Sequence, residues 1–384
     1  MTEIYKRLET QLVHAGEPLP RIAGAVEMPI FQSATYTYAG EGCYDDVRYL
    51  RNNNTPSQLA LHAKLAVLEG AEAALVTASG MAAISATLFA LLSAGDHVLA
   101  QSCLYGGTHE LLTQEFPRYG LAADFIDADR PESWRAQLKP TTRLIYVEAM
   151  SNPLLEVPDL NAIVAFARAH RLLAIIDNTF ASPVNYRPIP AGFDLALHSA
   201  TKYLNGHADL VAGAVAGGAQ LIERIRHQLN LLGGALDPHA AFLLKRGLKT
   251  LALRVRYQND SALAVARFLA GHAAVRQVNY PGLATHPQHA RARALFAGCG
   301  GVLSFQLHGP AARAEEFAAR VRIPALAPSL GGVQTLLTRP ARTSHAGLSG
   351  AMRQHLGIGE GLLRLSVGIE ATEDLLEDFA QALG

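Results

Sequence analysis

Neither sign of charge is in excess: 33 lysines and arginines meet 33 aspartates and glutamates, for a formal net charge of zero with histidine neutral. That excludes a general electrostatic attraction to nucleic acid or to an anionic membrane. Cysteine is scarce, and Cys43, Cys103 and Cys299 stand far apart. Neither a disulfide framework nor a zinc ribbon can be drawn from them, and a reducing cytoplasm is the setting they fit. No run reaches the roughly 18 apolar residues of a membrane span, and Met1-Thr-Glu-Ile-Tyr-Lys-Arg-Leu-Glu9 is charged where a signal peptide needs its apolar segment. A Walker loop, a GxGxxG turn, a GxSxG elbow and internal repeats are missing too. His286 and His289 are split by Pro287 with no cysteine or carboxylate cluster beside them, so no metal site is expected.

The 384 residues and 49% hydrophobic content exceed one ordinary core, so two domains and an appended arm are expected. Residues 1–51 carry prolines, glycines and aromatics without sustained periodicity and read as an extended arm. In residues 52–247, short apolar strands at 73–76, 97–100, 125–127, 144–147, 172–176 and 193–197 alternate with helical stretches. The helices fall at 59–68, where Thr55 or Ser57 can cap, after Gly80, after Gly107 and at 159–169. This alternation predicts an α/β fold with a mostly parallel central sheet and helices on both faces. Helical patterns at 221–231 and 239–266 follow, the second long enough to bridge to another domain. Residues 248–384 mix helices at 262–270, 288–295, 311–321 and 373–383 with strands at 301–307 and 362–367, which predicts a smaller α+β domain.

Sheets of this kind bind ligands beyond the carboxyl ends of their strands. Strand 193–197 delivers Ser199, Thr201 and Lys202 there, and strand 172–176 ends in Asp177-Asn-Thr179. Hydroxyls suit a phosphate, an amine suits a carbonyl, and a carboxylate suits a protonated ring nitrogen. Pyridoxal 5′-phosphate (PLP), held on Lys202 as a Schiff base with Asp177 against its pyridinium, satisfies all three. Gly80 and Met81 lie at a helix start that is either an anion site or an ordinary cap. Tyr105, beside two glycines, can stack on a planar cofactor or serve a structural role. Asn152 is a hydrogen-bond donor at the sheet edge or a turn residue before Pro153. Arg364, flanked by leucines in an alternating strand, either faces solvent or holds a substrate carboxylate. Asn205-Gly-His207 reads as a turn beside the lysine.

With these residues in place, the chain resembles the Cys/Met-metabolism family of PLP-dependent enzymes. The resemblance is carried, in order, by His14-Ala-Gly16, Gly24-Ala-Val26 with Pro29-Ile30, Tyr49-Leu-Arg51, Ser79-Gly-Met81 and Tyr105-Gly-Gly-Thr108. It continues through Asp177-Asn-Thr179, Ser199-Ala-Thr-Lys-Tyr-Leu-Asn-Gly206, Arg246-Gly-Leu-Lys-Thr-Leu251, Tyr280-Pro-Gly-Leu283 and Ser329-Leu-Gly-Gly332. It implies the fold type I architecture of PLP-dependent transferases, with 52–247 as the PLP-binding domain. It also implies that Lys202 carries the cofactor, that Asp177 pairs with the ring nitrogen, and that Tyr105 stacks on the ring and assists proton movement. Gly80, Met81, Ser199 and Thr201 would hold the phosphate, joined by Tyr49 and Arg51 reaching into the neighbouring subunit's site. Asn152, Ser329 and Arg364 would fix the cofactor oxygen and the substrate carboxylate.

Those roles make a dimer the smallest active unit and a tetramer the expected assembly, with a small amino acid as substrate. The expected reaction is γ-elimination, breaking the C–S bond of methionine, homocysteine or cystathionine to give a 2-oxo acid, ammonia and a thiol. Relatives acting on cystathionine by the γ-route usually have Glu at the position of Pro328, β-lyases Tyr, and methionine γ-lyases an apolar residue. Gly107 stands where methionine γ-lyases typically carry cysteine. Two other readings stay open: γ-replacement on an O-acylhomoserine, as in cystathionine γ-synthases and sulfhydrylases, and a non-catalytic PLP-binding regulator.

Overall fold

Two sheets and one long helix between them organise the chain. The structure is a computed structural model and describes residues 5–38 and 40–384; residues 1–4 of the charged amino-terminal stretch lie outside the described residues. The larger sheet has strands β1 (Ala73–Thr77), β2 (His97–Gln101), β3 (Ala122–Ile126), β4 (Thr142–Glu148), β5 (Leu173–Asp177), β6 (Leu195–His198) and β7 (Gly213–Gly217), in the order β1-β7-β6-β5-β4-β2-β3. Strands β2 to β6 pair in parallel, as the alternation predicts. Strand β7 does not: it runs antiparallel to both β1 and β6.

Strand β7 is absent from the sequence reading because Gly213-Ala-Val-Ala-Gly217 carries little bulk and has glycine at both ends. Here glycine marks close backbone approach, not a turn. A Cβ at Gly213 would lie 2.2 Å from the Ser79 carbonyl oxygen, and one at Gly217 would lie 2.5 Å from that of Asp194. Along the strands the side chains alternate between two cores. Val76, Ile145, Ile176 and Ala196 face helices Pro56–Glu69 and Leu160–His170. Leu75, Leu144, Tyr146, Ile175 and Leu197 face helices Gly80–Leu91 and Ala219–Leu232.

Three other expectations shift. The arm contains a helix, Leu8–His14, whose Leu12 is buried; its last turn is held by Lys64 Nζ, which donates to the Leu12 carbonyl at 2.8 Å. The helical pattern over 239–266 splits into Pro238–Leu248 and Leu251–Gly271. Asp177 closes β5 itself and does not follow it. Helix Leu251–Gly271 begins in the larger core with Leu251 and Val255 and ends under the second sheet with Val265 and Leu269. That sheet holds β8 (Val275–Asn279), β9 (Val302–Leu307), β10 (Ala325–Leu326), β11 (Leu336–Thr338) and β12 (Leu362–Ser366), in the order β10-β11-β12-β9-β8.

Buried Arg254 on the long helix ties the two parts together behind Lys202. Its guanidinium donates to the Tyr203 carbonyl at 2.9 Å and the Gly247 carbonyl at 2.8 Å, and burial lowers its pKa to about 10. Gly206 follows in the left-handed region at φ +76, where a Cβ would sit 2.0 Å from Arg254 Nη1. The Arg254→Met variant keeps most of the stem but strands these carbonyls. It is expected to lose about 3 kcal/mol of stability and to loosen the lysine loop, as read by urea melts and by proteolysis between Lys202 and Gly206.

Candidate active site

The parallel strands end along one edge, and on the face covered by helix Gly80–Leu91 that edge opens into a cavity of about 620 Å³. This size is ordinary for a small-molecule or cofactor site. Lys202 enters it from the loop after β6. The loop is fixed by Ser199 N–H donating to Thr179 Oγ1 at 2.8 Å, by Thr201 N–H donating to the Ala212 carbonyl at 3.1 Å, and by Gly206 N–H closing onto the Lys202 carbonyl at 2.8 Å. The lysine amine donates to Ser329 Oγ at 2.7 Å. Burial, with the Arg364 guanidinium as second cause, draws its pKa down to about 8, so far more free amine exists near neutrality than in an exposed lysine.

Gly80 and Met81 line the cavity beside Ser199 and Thr201. Ser79 caps the helix through the Ala82 N–H at 3.0 Å, and the neighbouring first-turn amides have no partner within their own helix. A Cβ at Gly80 would lie 2.9 Å from Ser199 Cβ, so glycine is what lets the helix start and the Ser199 loop touch. Tyr105 sits at the mouth, 42% exposed. Its ring lies over Gly107, where a Cβ would come within 2.8 Å of Tyr105 Cε1. A cysteine at position 107 would therefore push on the ring.

Asp177 faces the cavity from the end of β5, and its Oδ1 accepts the Thr179 N–H at 2.9 Å. Burial raises its carboxyl pKa, while Thr179 and His198 pull the other way. Arg364 is 3% exposed, so its solvent-facing alternative is excluded. Its guanidinium donates to Asn152 Oδ1 at 3.0 Å and to the Ser329 carbonyl at 2.9 Å, and its Nε is buried without a partner. Asn152 thus accepts through Oδ1 here, where the sequence reading expected a donor. Ser329 adopts φ +92, a strained backbone for a residue with a Cβ. That conformation places its hydroxyl on Lys202 and its carbonyl on Arg364.

Every site residue named from the sequence lines this cavity except Tyr49 and Arg51. Arg51 instead donates to the Asn230 carbonyl at 3.0 Å and to Tyr44 Oη at 3.1 Å, in a cluster with the Tyr44 and Tyr49 rings. The polar cavity residues Glu148, Thr179, Thr343 and Ser344 were given no role in the sequence reading. Thr179 was quoted in its motif without a role. Glu148 ends an apolar strand at the same edge as Asp177, a signal available from the sequence alone. His207 and His289 make local bonds, to the Asn205 and Pro281 carbonyls at 2.7 and 2.8 Å.

The donor set fits PLP: an amine of lowered pKa, hydroxyls and helix-start amides for a phosphate, and a carboxylate for a protonated ring nitrogen. The sequence pattern of the family described as Cys/Met metabolism PLP-dependent enzymes matches residues 9–384. The chain belongs to this family. It is 40% identical to cystathionine gamma-lyase of Bacillus subtilis and 41% identical to cystathionine beta-lyase of Lactococcus lactis, with 98% of both chains covered in each case. It is 39% identical to L-methionine gamma-lyase of Pseudomonas putida, over 97% of this chain and 96% of that one. Among solved structures, cystathionine gamma-lyase from Lactobacillus plantarum, complexed with L-serine, superposes with a TM-score of 0.93 at 38% identity over 98% of each chain. The protein is thus a PLP-dependent carbon–sulfur lyase of the trans-sulfuration family, with fold type I architecture.

Proposed function

We propose that the protein cleaves the Cγ–S bond of a methionine-, homocysteine- or cystathionine-type amino acid, releasing 2-oxobutanoate, ammonia and a thiol. One observation carries this reading. Beside the cations Lys202 and Arg364 and the acids Glu148 and Asp177, the cavity is lined by the apolar side chains of Met81, Ile84, Met150, Phe180, Val211, Pro328 and Leu330. Such a wall suits an apolar sulfur side chain and offers no partner to a distal ammonium at position 328.

PLP, when bound, supplies the electron sink that acidifies the substrate's Cα and then Cβ protons. Gly80, Met81, Ser199 and Thr201 hold its phosphate, and Asp177 keeps its ring nitrogen protonated. Arg364 orients the substrate carboxylate, with Asn152 and Ser329 fixing the guanidinium. Lys202 Nζ is the base that takes the Cα proton and returns it. Tyr105 Oη, at the mouth, hands a proton to the departing sulfur.

Tyr49 and Arg51 stand outside their own cavity, which supports a dimer in which Tyr49 and Arg51 of the partner subunit complete the phosphate site, and a tetramer built from two such dimers. The free thiols of Cys43, Cys103 and Cys299 support a reducing, cytoplasmic setting, and no helix among the described residues is long and apolar enough to cross a membrane. Incubation with methionine, homocysteine and cystathionine, without added thiol, is expected to give 2-oxobutanoate. Pyruvate from cystathionine would indicate β-elimination instead. A thioether formed from an O-acylhomoserine plus thiol, with little oxo acid, would indicate replacement chemistry.

A further inference from the structure

Glu148 has no role in the chemistry above, yet it is 4% exposed and reaches the cavity. Strands β4 and β5 pair in parallel with Glu148 opposite Asp177, and the ladder is closed at that point by Ala149 N–H donating to the Asp177 carbonyl at 3.0 Å. Residues opposite one another in a ladder point to the same face, with backbones about 4.8 Å apart. Two carboxyl groups therefore lie side by side at the strand ends. One Glu148 oxygen, Oε1, accepts the Tyr105 backbone N–H at 2.6 Å, so Glu148 also sets where the tyrosine leaves the sheet edge.

Two adjacent carboxyls in a desolvated site do not both ionise, because each charge raises the cost of the other. The surroundings decide which keeps the proton. Asp177 opens to the cavity, accepts the Thr179 N–H, and has the His198–Glu69 pair across the sheet, joined at 2.5 Å. Glu148 is more deeply enclosed; it sits two residues beyond buried Tyr146 on its own strand, and the charged neighbour acting on it is Asp177.

We propose that Glu148 is a positioning residue that stays protonated at working pH, anchoring the Tyr105 backbone with one oxygen while leaving Asp177 as the sole anion facing the cofactor ring. This assignment rests on the PLP reading of the site. Burial first, and the neighbouring Asp177 second, push the Glu148 carboxyl well above the usual range, in the same direction.

The glutamine variant mimics a neutral acid, with an oxygen for the Tyr105 N–H and a donor toward Asp177. Glu148→Gln is therefore expected to bind PLP, added to the apoenzyme, within about twofold of wild type and to keep the wild-type pH profile of kcat/KM. Glu148→Ala is expected to weaken PLP binding about tenfold or more, since Tyr105 loses its anchor. Infrared spectra of the loaded wild type should hold a protonated-carboxyl band at neutral pH that disappears in Glu148→Gln.

Wild-type protein that fails to bind PLP would overturn the cofactor reading itself. A tenfold loss of PLP affinity in the glutamine variant, a shifted pH profile, or a carboxyl band that survives the substitution would overturn the role given to Glu148. Unchanged PLP affinity in Glu148→Ala would overturn the anchoring role, and if that variant does not fold, the glutamine variant and the band decide alone.

Discussion

Replacing Lys202 by alanine is expected to lower turnover of the best substrate by at least about 10³-fold, because the proposed mechanism makes one atom, Nζ, both the covalent anchor and the proton carrier. The fold should survive. The amine is buried, and its lowered pKa of about 8 lies below the roughly 10.4 of an unfolded lysine. Between those values the unfolded chain binds more protons than the folded one, so this group's contribution to stability rises with pH. Below about pH 8 the folded protein bears the whole cost of burying the charge. Apo Lys202→Ala should therefore melt no earlier than apo wild type at pH 7, and wild type should gain on the variant as pH climbs from 8 toward 10. An early, pH-independent loss of stability in the variant would mean that the lysine acts as a structural brace.

The Arg364→Ala variant is expected to raise KM for the amino-acid substrate on the order of 10²-fold or more. Truncating one member of a buried, hydrogen-bonded charge pair costs about 2 to 5 kcal/mol, and about 1.4 kcal/mol is tenfold. Arg364 sits mid-strand in β12, opposite Ser304 of β9 and Thr338 of β11, so its direction is set by the second sheet while its partners Asn152 and Ser329 come from elsewhere. Arg364→Lys keeps the charge but not the planar fork, and only partial recovery is expected. Steady-state kinetics separate the outcomes: a KM within threefold of wild type in the alanine variant would remove Arg364 from substrate recognition.

Most of the parallel sheet and the strand-end residues were legible in the sequence, because buried parallel strands are short, apolar and β-branched, and their ends expose the few polar groups the core excludes. Strand β7 was not legible, since Gly213 and Gly217 carry the same letters as a turn and only the Ser79 and Asp194 carbonyls reveal them as contact points. The break at Lys249 and Thr250 was hidden in the same way: helical periodicity continues through it, and only the fold shows that Gly247, just before it, packs so near the Asn205 carbonyl that a Cβ would stand 2.3 Å away. Glu148 was overlooked because a lone acid closing an apolar strand looks like a solvated end; the sequence offers its place at the sheet edge, and the structure adds its register opposite Asp177. Arg364 was ambiguous until burial decided it.

Burial alone does not select the catalytic lysine. Lys64 is 0% exposed, and burial lowers its pKa to about 7, yet its amine is spent on the Leu12 carbonyl at the amino-terminal helix. What singles out Lys202 is its place in the cavity with Asp177, Ser199 and Arg364. The most direct measurement is therefore borohydride reduction of the PLP-loaded protein, followed by digestion and mass spectrometry of the labelled peptide. One phosphopyridoxyl group per chain on Lys202, absent from Lys202→Ala, is the expected result. Label on Lys64 or any other lysine, or no label on protein that has taken up PLP, would contradict the account.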